Sequence, residues 1–203
     1  QRSPSGRLPV TLPNSEADTV APCQENPCVH AEGLFVGWRA LIGKPVAFPF
    51  GHGLSYSTFS YTAFGAHDVR GDVGSWQEAT LLVSGSSVAS VEHANAMDTL
   101  RPVVTLTVRI SNVGFYTATE VAQLYLRYPE EADEPLLVLR GFQATRVLKP
   151  SETAEVTFPL TTRDLSVWKE GQEGGWTLAT GTFEVWIGAS SRDPRLSAKL
   201  QVQ

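Results

Sequence analysis

Five kinds of residue in this 203-residue chain could do chemistry: clustered acids, scattered histidines, one glycine-flanked serine, two close cysteines and five tryptophans. The acids Glu130, Glu131, Asp133 and Glu134 stand together in PEEADEP. Two carboxylates can share acid and base duties only if their surroundings push their pKa values apart. A run of acids between prolines gives no such environment and reads as a solvated loop. Glu120 opens an alternating segment and is expected to face solvent. Glu32 precedes an apolar run and is expected to pair with Arg39, orienting that run rather than touching a substrate. His52, between Gly51 and Gly53, could reach a neighbouring surface or ligand, and its favoured role is a hydrogen-bonding strut within its own loop. His30, His67 and His93 are scattered, without the Cys or carboxylate spacing of a metal site. Gly85-Ser86 lacks the context of a nucleophile elbow, and GHG is no phosphate loop because no Lys-Ser/Thr follows.

Cys23 and Cys28, in PCQENPC, either close a small disulfide in an exported protein or remain two thiols in a surface loop. Aromatic faces stack on sugars, so the tryptophans raise carbohydrate binding. Trp168 and Trp176 flank KEGQEGG and are weak candidates for it; the other reading is an aromatic staple under a loop. Trp186, in TFEVWIGAS, is expected to pack in the core or between sheets.

The net charge of −5 argues against nucleic acid or an anionic membrane as partner. No apolar run approaches the roughly 20 residues of a membrane span. The N-terminus has no signal-peptide pattern and no Met, so a piece of a longer protein is expected. Residues 1–31 are rich in Pro and Ser, with Leu8–Leu12 as an extended or edge segment. Residues 32–44, EGLFVGWRALIGK, could be helix or strand, and their apolar side chains need a covering surface.

Pro45–Phe59, PVAFPFGHGLSYSTF, reads as a shaped aromatic loop: Pro49 fixes its own φ, while Gly51 and Gly53 free the backbone around His52. Short alternating strands follow at Tyr56–Phe64, Ala79–Val83, Val88–Val91, Val103–Ile110, Glu120–Tyr128, Thr153–Leu160, Thr182–Ile187 and Leu196–Val202. Leu136–Val147 reads as an extended pair broken at Gly141. Turn signals between them predict an antiparallel β-sandwich.

Several long motifs then resemble one family in the right order: PSGRLPVTLP (Pro4–Pro13), EGLFVGWR with FPFGHGLSYSTF (Glu32–Arg39, Phe48–Phe59), and a series running from VTLTVRISNVGFYTATEVAQLYLR (Val104–Arg127) to GTFEVWIGASSRDPRL (Gly181–Leu196). The chain resembles the C-terminal part of glycoside hydrolase family 3 enzymes, the β-glucosidase and β-xylosidase-like group. The resemblance implies an all-β, immunoglobulin/fibronectin type III-like antiparallel β-sandwich. Residues 1–31 would be an extended remnant of an α/β-sandwich domain, 32–59 a connector, and 60–203 the sandwich, with an insertion at about 65–101.

The family mechanism resembles the retaining scheme, with a carboxylate nucleophile and a carboxylic acid/base about 5–5.5 Å apart. The motifs that carry both lie in upstream domains and are absent here, so no catalytic residue is assigned and the isolated chain is expected to be inactive. The implied partners are catalytic domains of the same parent chain and an oligosaccharide or glycoside, with no cofactor and no metal. The implied compartment is extracellular, or lysosome- or vacuole-like. The other readings are a stand-alone carbohydrate-binding or adhesion module and a truncated, inactive gene product. If upstream domains normally cover the connector, Phe48, Phe50 and the Leu34–Ile42 run should be poorly covered by this chain alone.

Overall fold

The computed structural model describes residues 3–19, 23, 27–29, 32–68, 71–74, 80–83, 100, 102–170 and 175–202. Two sheets face each other. One has the order β4-β3-β6-β9, made of Gly71–Gly74, Phe59–Asp68, Pro102–Asn112 and Thr153–Thr161. The other has the order β5-β13-β12-β7-β8, made of Thr80–Val83, Asp193–Val202, Gly181–Ser190, Val121–Arg127 and Val138–Ala144. Two ribbons stand apart: β1 (Leu12–Pro13) with β2 (Val46–Phe48), and β10 (Ser166–Lys169) with β11 (Gly175–Leu178).

Period-2 alternation sends every second side chain of a strand into the space between the sheets. In β6, Leu106, Val108 and Ile110 are fully buried, and in β12 so are Phe183, Val185 and Ile187. Register then matches Val185 with Leu126 and Ile187 with Leu124 of β7. The outward phase is polar where solvent reaches it, as in the exposed Arg109–Glu155 pair across β6 and β9.

Three expectations change, and one reading left open between helix and strand is decided. The stretch Leu136–Val147 holds a single strand, β8 (Val138–Ala144), whose register shifts opposite Leu124 and Tyr125, so Gly141 marks a bulge rather than a break. A side chain there would meet the Phe158 ring at 3.1 Å. β13 pairs with β5 in parallel, the one departure from antiparallel pairing among the described strands. The Gly37–Leu41 part of the apolar run is a 3-10 helix, with Gly37 at φ +58°. β3 starts only at Phe59; the residues before it form a loop. The expected strand Val88–Val91 lies outside the described residues.

Tertiary bonds fix the sandwich end nearest that loop. The buried Asn112 donates to the carbonyls of Tyr116 and Leu148 and accepts from Ser57 Oγ and Gly114 N. A buried amide satisfied on both sides defines its surroundings because any shift would orphan a polar group.

Candidate functional site

Residues 32–59, called the connector below, build with Leu8 a third layer on the outer face of β7 and β12. Leu8 N donates to His52 O at 2.8 Å and Gly51 N donates back to Leu8 O at 2.8 Å, tying the chain's first segment to the GHG loop. The Trp38 ring stacks on Phe50 with centroids 4.6 Å apart and meets Tyr125 edge-on at 6.0 Å. Ser191 N donates to Phe50 O. Gln123, pointing outward from β7, donates from Nε2 to Gly51 O (3.0 Å) and Ala189 O (2.7 Å), while Tyr125 OH donates to its Oε1. Burial pushes the Tyr125 phenol well above its ordinary pKa. These contacts bury both faces of β7, although only one belongs to the inter-sheet core.

Glu120 lies where this layer meets the end of the sandwich. It does not face solvent: its side chain is 4% exposed, and its Oε2 accepts from Arg7 Nη2 at 2.9 Å. Tyr61 OH donates to Oε1 at 2.7 Å, and Glu120 N donates to Thr145 Oγ1. The Tyr61 pKa rises strongly, first through burial and then through the Glu120 charge and hydrogen bond. The phenol therefore stays neutral and donating. Both oxygens of Glu120 are engaged in holding the chain together. Its phase gives the sequence signal: Glu120 alternates with the inward Ala122, Leu124 and Leu126.

The residues singled out from sequence are dispersed. His52 works mainly through its backbone carbonyl, and its ring lies 5.1 Å from that of Phe48. Trp168 and Trp176 are opposite one another across β10 and β11, edge to face at 5.7 Å. Arg163 lies over the Trp176 ring at 3.5 Å, and Trp168 is 55% exposed. The Cys23 and Cys28 sulfurs are bonded to one another. Glu130–Ala132 is a 3-10 turn closed by Asp133 at φ 51°. Burial raises the Glu134 pKa, and Arg140 and Arg39 oppose that rise. Arg39 also donates to Leu34 O.

Trp186 corrects its expectation. It shares the outward phase with Glu184 and Gly188, not the inward one. With Trp38, Thr11, Lys44, Ser191 and Arg192 it lines a cleft of about 550 Å³ between the connector and the sheet. Among the described residues no three His, Cys, Asp or Glu gather as a metal site, and no helix is long and apolar enough to cross a membrane.

A profile for the fibronectin type III-like domain matches residues 120–191. The probable β-glucosidase D of Aspergillus flavus is 36% identical over 198 residues, covering 96% of this chain and 25% of that protein. The crystal structure of β-D-glucoside glucohydrolase from Trichoderma reesei superposes with TM-score 0.83 and 32% identity, covering all of this chain and 27% of that one. The GH3 β-glucosidase of Bifidobacterium adolescentis superposes with TM-score 0.72 and 27% identity, covering 99% of this chain and 26% of that one.

The chain matches, over nearly its whole length, the C-terminal part of glycoside hydrolase family 3 β-glucosidases. It spans about a quarter of the length of the curated relatives it matches. The sandwich has a contiguous buried core, whereas the apolar run that precedes it is poorly covered on its outer side. Leu34, Phe35, Val36 and Phe48 are all more than two-fifths exposed, and Trp38, Leu41, Ile42 and Phe50 are only partly covered. The poor cover expected for this run is what the structure has.

Proposed function

We propose that this chain is the C-terminal, non-catalytic part of a retaining β-glucosidase- or β-xylosidase-like hydrolase, and that it buttresses the domains carrying the catalytic carboxylates. The observation that carries the reading is the two-faced connector. Its inner side is bonded to the sandwich through Gly51 and Gln123, the tail it holds adds the Arg7–Glu120 pair, and its outer side presents an apolar strip. A strip of this kind marks an interaction surface. The partner is the remainder of the parent polypeptide, and the reaction there is hydrolysis of terminal β-linked sugars. Residues 1–31, 32–59 and 60–203 serve as tail, connector and sandwich in this scheme. The relatives' names, their greater length and the full engagement of Glu120 support it. The bonded cysteine pair supports an oxidising compartment, outside the cell or in a lysosome- or vacuole-like space.

Two measurements test the reading. The purified chain is expected to leave aryl β-glucosides and aryl β-xylosides intact. Turnover that disappears when one of the chain's own carboxylates is replaced would overturn it. The coding sequence upstream of Gln1 is expected to encode both catalytic carboxylates, and an upstream region without them would equally reject the assignment.

A further inference from the structure

The cleft between connector and sheet is better built than an accidental gap. Its volume of about 550 Å³ falls within the roughly 300–1,000 Å³ usual for small-ligand sites. Trp38 is held from two sides, stacked on Phe50 and edge-on to Tyr125. Trp186 is fixed in the middle of a strand, with Tyr125 opposite it on β7 and Ser197 on β13. The rim is held as well, since Arg192 donates to the carbonyls of Leu41 and Lys44. The lining thus offers two indole side chains at low ordering cost, an ammonium at Lys44, and the Ser191 and Thr11 hydroxyls. Among the described residues no carboxylate is part of its lining.

We propose that this cleft is a non-catalytic saccharide site, taking a short neutral oligosaccharide of gluco- or xylo-configured pyranose units. Such rings carry their hydroxyls equatorially, so each face is a flat apolar C–H surface that an indole can cover. The ring edge is a belt of hydroxyls that Lys44 and Ser191 can meet. Aromatic body and polar rim is the division of labour a fixed Trp supports. Lys44 meets a hydroxyl as a charge-assisted donor. A purely apolar ligand would leave the ammonium unused. A cationic ligand would meet two cationic side chains, Lys44 and Arg192, in the lining. Trp168 and Trp176 are a less developed candidate, because their rings pack on each other and Arg163 covers Trp176. The inference stands independently of the hydrolase reading, since it requires only this chain.

The test is a calorimetric and tryptophan-fluorescence titration of the 203-residue chain with cellotetraose and xylotetraose. Saturable binding is expected for at least one. Trp186→Ala should weaken it tenfold or more, Lys44→Met severalfold, and Trp168→Ala not at all. Trp186 lies outside the inter-sheet core and Lys44 is exposed, so retained β-sheet circular dichroism separates loss of binding from loss of fold. Absence of saturable binding at millimolar sugar overturns the proposal. So does binding untouched by both Trp186→Ala and Lys44→Met, or binding abolished by Trp168→Ala.

Discussion

At the scale of single residues, the decisive group is a carboxylate that does no catalysis. Glu120 and Arg7 form a buried ion pair between positions 113 residues apart in sequence. Such a pair is worth little against a well-packed apolar replacement, but removing one partner strands a buried charge, at a cost of about 3–5 kcal/mol. Arg7 Nε is already buried without a hydrogen-bond partner, so the guanidinium has little reserve. Glu120→Leu or Arg7→Met alone is therefore expected to lower unfolding free energy by about that amount, and the two together by clearly less than the sum. Chemical denaturation of the two single variants and the double variant checks this; additive losses would show that the pair is not coupled. Tyr128 offers a second residue-scale test. Its hydroxyl donates to Asp164 O and accepts from Arg140 Nε. Burial pushes its pKa from 10.0 to about 12, against the lowering effect of Arg140. A folded-state pKa above the unfolded value gives stability that is complete below pH 10 and is lost as the pH rises through about 12. Tyr61 and Tyr125 shift in the same direction. Tyr128→Phe should thus make the alkaline decline shallower without abolishing it. Equal slopes for wild type and variant, from urea melts across that range, would count against the assignment.

At the scale of elements, the connector holds its shape through backbone conformations open to glycine. Gly51 sits at φ +78°, and a Cβ on it would fall 2.0 Å from Gln123 Oε1. Gln123 cannot easily retreat, because Tyr125 and two carbonyls hold its amide. Gly43 has a similar φ of +81° with nothing within 4 Å of its built Cβ. Gly43→Ala should therefore cost backbone strain alone, about 1–3 kcal/mol, and Gly51→Ala should cost more because the clash adds to it. Thermal melts of both variants give the order; an equal loss would mean that Gln123 moves freely. The same elements show what sequence could reveal. The alternation of Val103–Ile110 and the phase of Phe183, Val185 and Ile187 are local, so strands and sandwich were legible. The family motifs were legible too, being contiguous. Glu120 escapes a local reading because its partner Arg7 is remote, although its phase with Ala122 and Leu124 points inward. For Trp186 the conflict is the opposite one: hydrophobicity suggests the core while its phase with Glu184 points out. The bulge at Gly141 depends on the Phe158 ring across the sandwich, which no local pattern contains.

At the scale of the molecule, the connector divides its apolar side chains between two masters. Trp38 and Phe50 are engaged by Tyr125 and the Gln123 cluster on the sandwich. Phe35 and Phe48 are exposed by 49% and 44%, contributing little to the stability of this chain. If the outer side exists for the rest of a family 3 polypeptide, the two groups must separate in a stability measurement. Phe35→Ser and Phe48→Ser should shift unfolding free energy by no more than about 0.5 kcal/mol, the usual range for surface substitutions. Trp38→Ala should cost about 3–5 kcal/mol if its site behaves as packed core, and less in proportion to its partial exposure. The outward substitutions should also reduce self-association of the isolated chain, since they remove part of an uncovered apolar strip. Denaturant melts and sedimentation velocity on the three variants measure both effects. Outward variants as destabilised as Trp38→Ala would mean that the strip serves the chain's own fold. The buttress would then have to grip its partner through some other surface.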